Sequence, residues 1–296
     1  MFLSAKLRNR AVSLIGSGLH LELLRRSEWI CVGYFVYIVL LSFFFKVSSR
    51  RRCWLAAINA ALVVGLFLLP VAAQSHSGWY VSILRDWLPV PLILIGYHES
   101  GRLTFPRVDQ FFENTFLRWD KSLFRTGLFQ LVKGNLPGWF DAILEFAYLQ
   151  CYVIVPSGIA VLYLAHQKVL ADEYWSIVLP AVFAAYGLTP LFPAQPPRKL
   201  PQDSLLPREA SLLRRFNLWI HDHASIKVNT FPSGHVAGAV AASLALMRPL
   251  PIAGACYLVI TVGIALGAIR GRYHYLIDAV AGALVAVAAY LCNWLI

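Results

Sequence analysis

Two imidazoles stand at the edges of apolar runs: His235 in FPSGHVAGAV and His274 in AIRGRYHYLID. Asp278 follows His274 by four residues. On a helix that spacing puts both side chains on one face. A carboxylate accepting from one ring nitrogen fixes the tautomer and leaves the other nitrogen free to attack or to take a proton. Ser233 or Thr230 can cap a helix beginning at His235, and Gly234 lets the backbone approach a ligand closely. Helix N-termini present free N–H groups and a positive dipole end, which suit a bound phosphate. Arg198, Lys199, Arg270 and Arg272 are the nearby cations. Arginine meets phosphate oxygens with a planar fork. Phosphoryl transfer needs charge neutralisation, in-line placement and protonation of the leaving oxygen. This set supplies all three without metal or cofactor: His274 as nucleophile, His235 as the group that gives and takes the proton, and Asp278 as orienter.

The elements that must position these groups are apolar. Hydrophobic residues make up 58% of the 296 and charged residues 14%, whereas a soluble domain has roughly 25% charged. Runs long enough to cross a bilayer core, about 17–25 residues, recur at 29–45, 53–73, 81–97, 139–165, 174–192, 231–247, 250–269 and 275–296. The fold class expected is therefore all-α, a polytopic transmembrane bundle of about six to eight spans with interfacial helices. Residues 1–28 are expected to form an amphipathic surface segment rather than a cleaved signal. Residues 29–296 are expected to form one catalytic membrane domain, with the motif-bearing core at about 139–296. The run at 81–97 is the weakest, because it carries Arg85, Asp86, Pro89 and Pro91.

Parity then brings the imidazoles together. The fifth run ends near Phe192, and residues 193–230 are too polar to cross. The sixth therefore begins on the face where the fifth ends, and the seventh returns to it. His235, His274, Arg198, Arg270, Arg272 and Asp278 share that face although 39 residues separate the histidines.

Other features carry less. The excess of 26 Lys and Arg over 15 Asp and Glu lies in short loops; it suits anionic headgroups or a phosphorylated substrate rather than nucleic acid. The five cysteines lie in or beside apolar runs without a CxxC pair and read as small hydrophobes. Residues 99–138 mix aromatic and charged residues, as interfacial helices do. Asp109, Glu113 and Asp120 within them read as a solvated face with local basic partners rather than as metal ligands. Glu145, near the start of the fourth run, reads as a structural group. His221 and His223 in HDH raise a zinc reading that the sequence does not favour. Gly263 and Gly267 read as a close helix contact.

Pro232-Ser233-Gly234-His235 and the spacing of His274 to Asp278 resemble the second and third motifs of the type 2 phosphatidic acid phosphatase superfamily. RYHYLIDAVAG and FPAQPPR are similar to the inositol phosphorylceramide synthase-like branch, as is WDKSLF upstream. The resemblance implies phosphate binding by Arg198. It departs from the superfamily at Gly267 and Ala268, where Ser-Arg is usual, so Arg272 is expected to take over that role, with Arg270 second. The function expected is hydrolysis of a lipid phosphate or diphosphate through a phosphohistidine; the alternative is headgroup transfer to an alcohol. A transporter or scaffold is the reading from another class, and no internal repeat supports it. Membrane lipids and the lipid substrate are the expected partners. The resemblance favours a cell membrane, plasma or inner, with the site on the non-cytoplasmic face.

Overall fold

A computed structural model describes residues 24–75, 79–104, 109–125, 137–200 and 211–295. The expected surface segment falls mostly on residues 1–23, outside the described residues. The regular elements among the described residues are all helices, without strands. α1 is Arg26–Leu41 and α2 is Ser49–Ser75. α3 (Trp79–Trp87) and α4 (Pro89–Leu103) make one 25-residue apolar span despite the prolines. Pro89 opens α4, where its missing N–H costs nothing. α5 is Gln110–Leu123. α6 (Gly138–Leu149) and α7 (Ile154–Leu164) are the fourth expected run, broken by 68° at a 3₁₀ turn over Gln150–Tyr152. α8 is Ala171–Leu188, α9 Leu212–His223, α10 Gly234–Met247, α11 Pro251–Arg270 and α12 Leu276–Leu295. Among the described residues five helices are long and apolar enough to cross a bilayer, six if the broken α6–α7 pair counts as one; α1 and α10 are shorter.

α8 is the hub. Its span is 78% buried inside the protein, against 22% for α2, whose sides face lipid. α8 packs on α1, α4, α10 and α12. α11 docks on α6 through the two glycines: a Cβ at Gly267 would lie 2.3 Å from the Leu144 carbonyl oxygen, and one at Gly263 would lie 2.9 Å from Ala147. The close contact expected from their spacing is present.

Buried ion pairs mark one end of the bundle. Arg85 at the end of α3 pairs with Glu28 of α1 at 2.6 Å, and Asp86 pairs with Arg25 and accepts from the Tyr163 hydroxyl at the end of α7. Asp172 at the start of α8 accepts from the Ser27 backbone N–H at 3.0 Å. The charges of the weakest span are thus matched at its end, so a continuous helix forms. At the other end of α8 the chain enters 189–200, where the site residues gather.

Two amphipathic helices close that end. α5 buries Glu113, Phe116, Leu117 and Asp120 and exposes Phe111 and Trp119. α9 buries Arg214, Asn217 and His221 at i, i+3 and i+7 and exposes Leu212, Phe216 and Trp219. Both patterns are those of helices lying along a membrane boundary.

Candidate active site

The two histidines lie on the same end of the bundle, within contact. His235 Nδ1 is 3.3 Å from His274 Nε2, with the ring planes at 66°. His274 Nδ1 is 3.3 Å from Asp278 Oδ2, which also accepts the Tyr275 N–H at 2.9 Å. With Asp278 as the acceptor, Nδ1 carries the proton of a neutral His274; Nε2 then accepts, and His235 Nδ1 donates to it. His274 sits in the turn between α11 and α12. Burial, reinforced by the Arg198 charge, lowers its pKa from 6.5 to about 3. The ring is therefore neutral at physiological pH, as a nucleophile requires.

Local structure places each group. The Ser233 hydroxyl accepts from Val236 N–H, so Ser233, not Thr230, caps α10. The Ser233 N–H donates to the Asp278 carbonyl at 3.0 Å, tying the starts of α10 and α12 together. Gly234 is small for a different reason from the one its sequence setting suggests. A Cβ there would lie 2.4 Å from the Tyr186 ring, so the glycine admits α8 rather than a ligand.

Arg198 reaches the chamber around the histidines. Its backbone N–H donates to the Arg272 carbonyl at 3.0 Å, and its guanidinium lies 5.7 Å from the Tyr273 ring centre and donates to the Tyr273 carbonyl. Among the described residues no carboxylate pairs with it. Lys199 beside it is exposed. The chamber is also lined by His221, Asn229 and Thr230 and holds about 20 Å³. Asn229 is buried there.

The other two arginines differ from expectation. Arg272 is fully buried and pairs with Asp120 of α5 at 3.1 Å. Arg270 forms a two-point pair with Asp141 at 2.8 and 3.2 Å. Neither lines the chamber. Arg272 instead holds the turn: its φ is 55°, a left-handed conformation that costs a non-glycine residue roughly 1–2 kcal/mol. The same Asp120 accepts the Ile277 N–H at 3.2 Å, so one carboxylate fixes the backbone on both sides of His274. Asp120 is thus a buried anchor, which corrects its reading as part of a solvated face. Glu113 is buried as well and accepts from Gln195 N–H at 3.2 Å, while Asp109 caps α5. Among the described residues no group of acidic, histidine and cysteine side chains is arranged to hold a metal.

A second buried network lies behind the histidines. Glu145 accepts from Arg214 at 2.9 Å, from the Asn217 amide at 2.7 Å and from the Tyr273 hydroxyl at 2.6 Å. Tyr273 stacks on Tyr148 with ring centres 4.3 Å apart, and the Tyr148 hydroxyl is 3.0 Å from His221 Nε2. Burial and the Arg198 charge push the His221 pKa far down, so this ring is a neutral wall of the chamber. Glu145 is structural, as read from its position. The roles of Asp120, Arg214, Asn217 and His221 were missed, although the polar i, i+3, i+7 pattern behind the Ser211 cap marks α9.

No curated protein and no solved structure matches the chain. A family model described as the PAP2 superfamily matches residues 114–292, more than half of the sequence and all of the elements from α6 to α11. That match starts upstream of Asp120 and takes in both histidines, Asp278 and Arg198. The chain belongs to the PAP2 superfamily, a membership that supports a phosphatase-type function on a lipid phosphate.

Proposed function

We propose that the protein is a metal-independent lipid phosphate phosphatase working through a phosphohistidine. The observation that carries this reading is the line Asp278–His274–His235 beside Arg198 at a membrane-embedded helix mouth. The chamber admits little more than a water, which needs about 10–15 Å³. A phosphate therefore takes the place of the His235–His274 hydrogen bond. Its oxygens meet Arg198, with Lys199 adding charge at the exposed edge and the positive N-terminal end of α10 within the same mouth.

His274 Nε2 then forms a bond to phosphorus while the bond to the lipid oxygen breaks. His235, protonated together with the bound phosphate, gives its proton to that oxygen. A water attacks the phosphohistidine, loses its proton to His235 and releases phosphate, with His274 restored. Asp278 keeps the Nδ1 proton in place throughout and steadies the charge that develops on the ring.

Transfer to a second alcohol instead of water is the other reading. The spelling of the motifs favours it, through their similarity to the inositol phosphorylceramide synthase-like branch. Labelled lipid phosphate given to purified protein in lipid nanodiscs distinguishes them: free phosphate supports hydrolysis, and a new phosphodiester supports transfer. Absence of both products from a panel of lipid phosphates overturns the enzyme reading. The site is proposed to face the non-cytoplasmic side of a cell membrane, a placement that labelling of Lys199 from one side of intact cells tests.

A further inference from the structure

His235 borders two spaces. One is the polar chamber. The other is an apolar cavity of about 430 Å³ bounded by α4, α7, α8 and α10, and the two share Tyr97, Ser225 and His235 at their junction. Its deep walls are Val90, Ile93, Val155, Val182 and Gly238. Along α4 it reaches from Tyr97 down to Val90, about 10 Å at 1.5 Å per residue. It also opens sideways. Leu94 and Tyr152 line it and are 59% and 37% exposed on a surface that faces lipid, at the 68° break between α6 and α7. The α4 wall, residues 89–103, lies outside the part of the chain that the family model matches.

We infer that this cavity binds one hydrocarbon chain of the lipid whose phosphate sits between the histidines, and that it sets a chain-length ceiling; the inference rests on the function proposed above. The reasons are continuity, chemistry and size. A chain bonded to an oxygen at His235 meets the cavity mouth at once. The deep walls offer it no polar group, so each buried methylene tightens binding roughly fourfold. The cavity's reach along α4 bounds how many methylenes it can take. A second chain stays in the bilayer beyond the α6–α7 break. Gly238 sets the width, because a Cβ there would already lie 3.1 Å from both Val155 and Val182.

Two measurements test this. The first needs no turnover: a non-hydrolysable single-chain alkyl phosphonate carrying a photoreactive diazirine near its tenth carbon is crosslinked to the full-length protein in nanodiscs. Labelling of Val90, Ile93 or Val155 is expected, blocked by excess unmodified phosphonate. Labels confined to the outer faces of α2 or α12, or none, overturn the inference. The second is a series of single-chain alkyl phosphates from about 6 to 20 carbons, with phosphate release or transfer as readout. Wild-type kcat/KM is expected to climb and level off within this series, once the chain fills the cavity. In Gly238→Leu, and in Val155→Phe from the opposite wall, the plateau is expected about three to four carbons earlier, with the long-to-short ratio down at least ~10-fold. A climb that continues to 20 carbons, or a plateau unmoved in both variants, overturns it. Crosslinking in the cavity without turnover of any phosphate counts against the catalytic reading alone.

Discussion

The two ends of the bundle use the same residue types to opposite effect. At one end Arg25, Arg85, Glu28 and Asp86 are drawn together from α1 and the α3–α4 span, and each charge has an opposite charge against it. At the other end His235 and His274 touch, and Arg198 reaches the same chamber without a carboxylate partner among the described residues. Ionisable groups at membrane depth are costly and usually functional. The first end shows that cost met by pairing alone, which joins spans and leaves nothing to offer a ligand. The second end leaves nitrogen donors and acceptors directed at a small space. Unspent hydrogen-bonding capacity, not charge, separates the site from the clamp.

The largest expected effect is at the nucleophile. His274→Ala should lower phosphate release on the order of 10⁴-fold or more, with size-exclusion profile and helicity unchanged. Retained turnover would dissolve the contrast between the two ends. His235→Asn should cost on the order of 10²–10⁴-fold, less for substrates whose leaving group needs no proton. An aryl phosphate with an acidic leaving group provides that comparison.

Arg198→Gln should cost roughly 10²-fold and also change the pH profile. The Arg198 charge is one of the two causes that lower the His274 pKa, burial being the larger. Removing it raises that pKa, so the protonated, non-nucleophilic ring appears at higher pH. The acid limb of kcat/KM should therefore move upward in pH relative to wild type; a limb that stays in place breaks the assignment.

The smallest effect on turnover is expected at the clamp. Asp86→Asn strands Arg25 and should cost about 3–5 kcal/mol of stability, read as a lower Tm. Turnover per folded molecule should change by less than about twofold. A loss of turnover as large as that of Arg198→Gln would mean that the two ends are not separate in function.

Much of this was legible beforehand, and the exceptions share a cause. The pairing of His235 with His274 followed from counting crossings, since a polar segment cannot pass through lipid. The His274–Asp278 pair and the glycine contact on α11 followed from residue spacing, while the cap of α10 stayed open between Ser233 and Thr230 until the structure chose Ser233. The pairing of Arg272 was not legible, because its partner Asp120 is 152 residues away on a helix whose docking no local pattern specifies. Asp120 was misread for the same reason: a carboxylate on an amphipathic helix looks solvated until the helix lies over the bundle end. The break at 150–153 was hidden inside a continuous apolar run, where hydropathy has no signal for direction.

The sequence by itself determined a helical membrane protein with two imidazoles and a carboxylate on one face, because bilayer thickness and helical period leave few other arrangements. Tertiary structure alone decided which arginine faces the chamber, which carboxylates are used up in holding the turn, and where a cavity opens beside His235. Those outcomes depend on contacts between elements far apart in the chain, and packing rather than spacing chooses among the partners that each charge could have had.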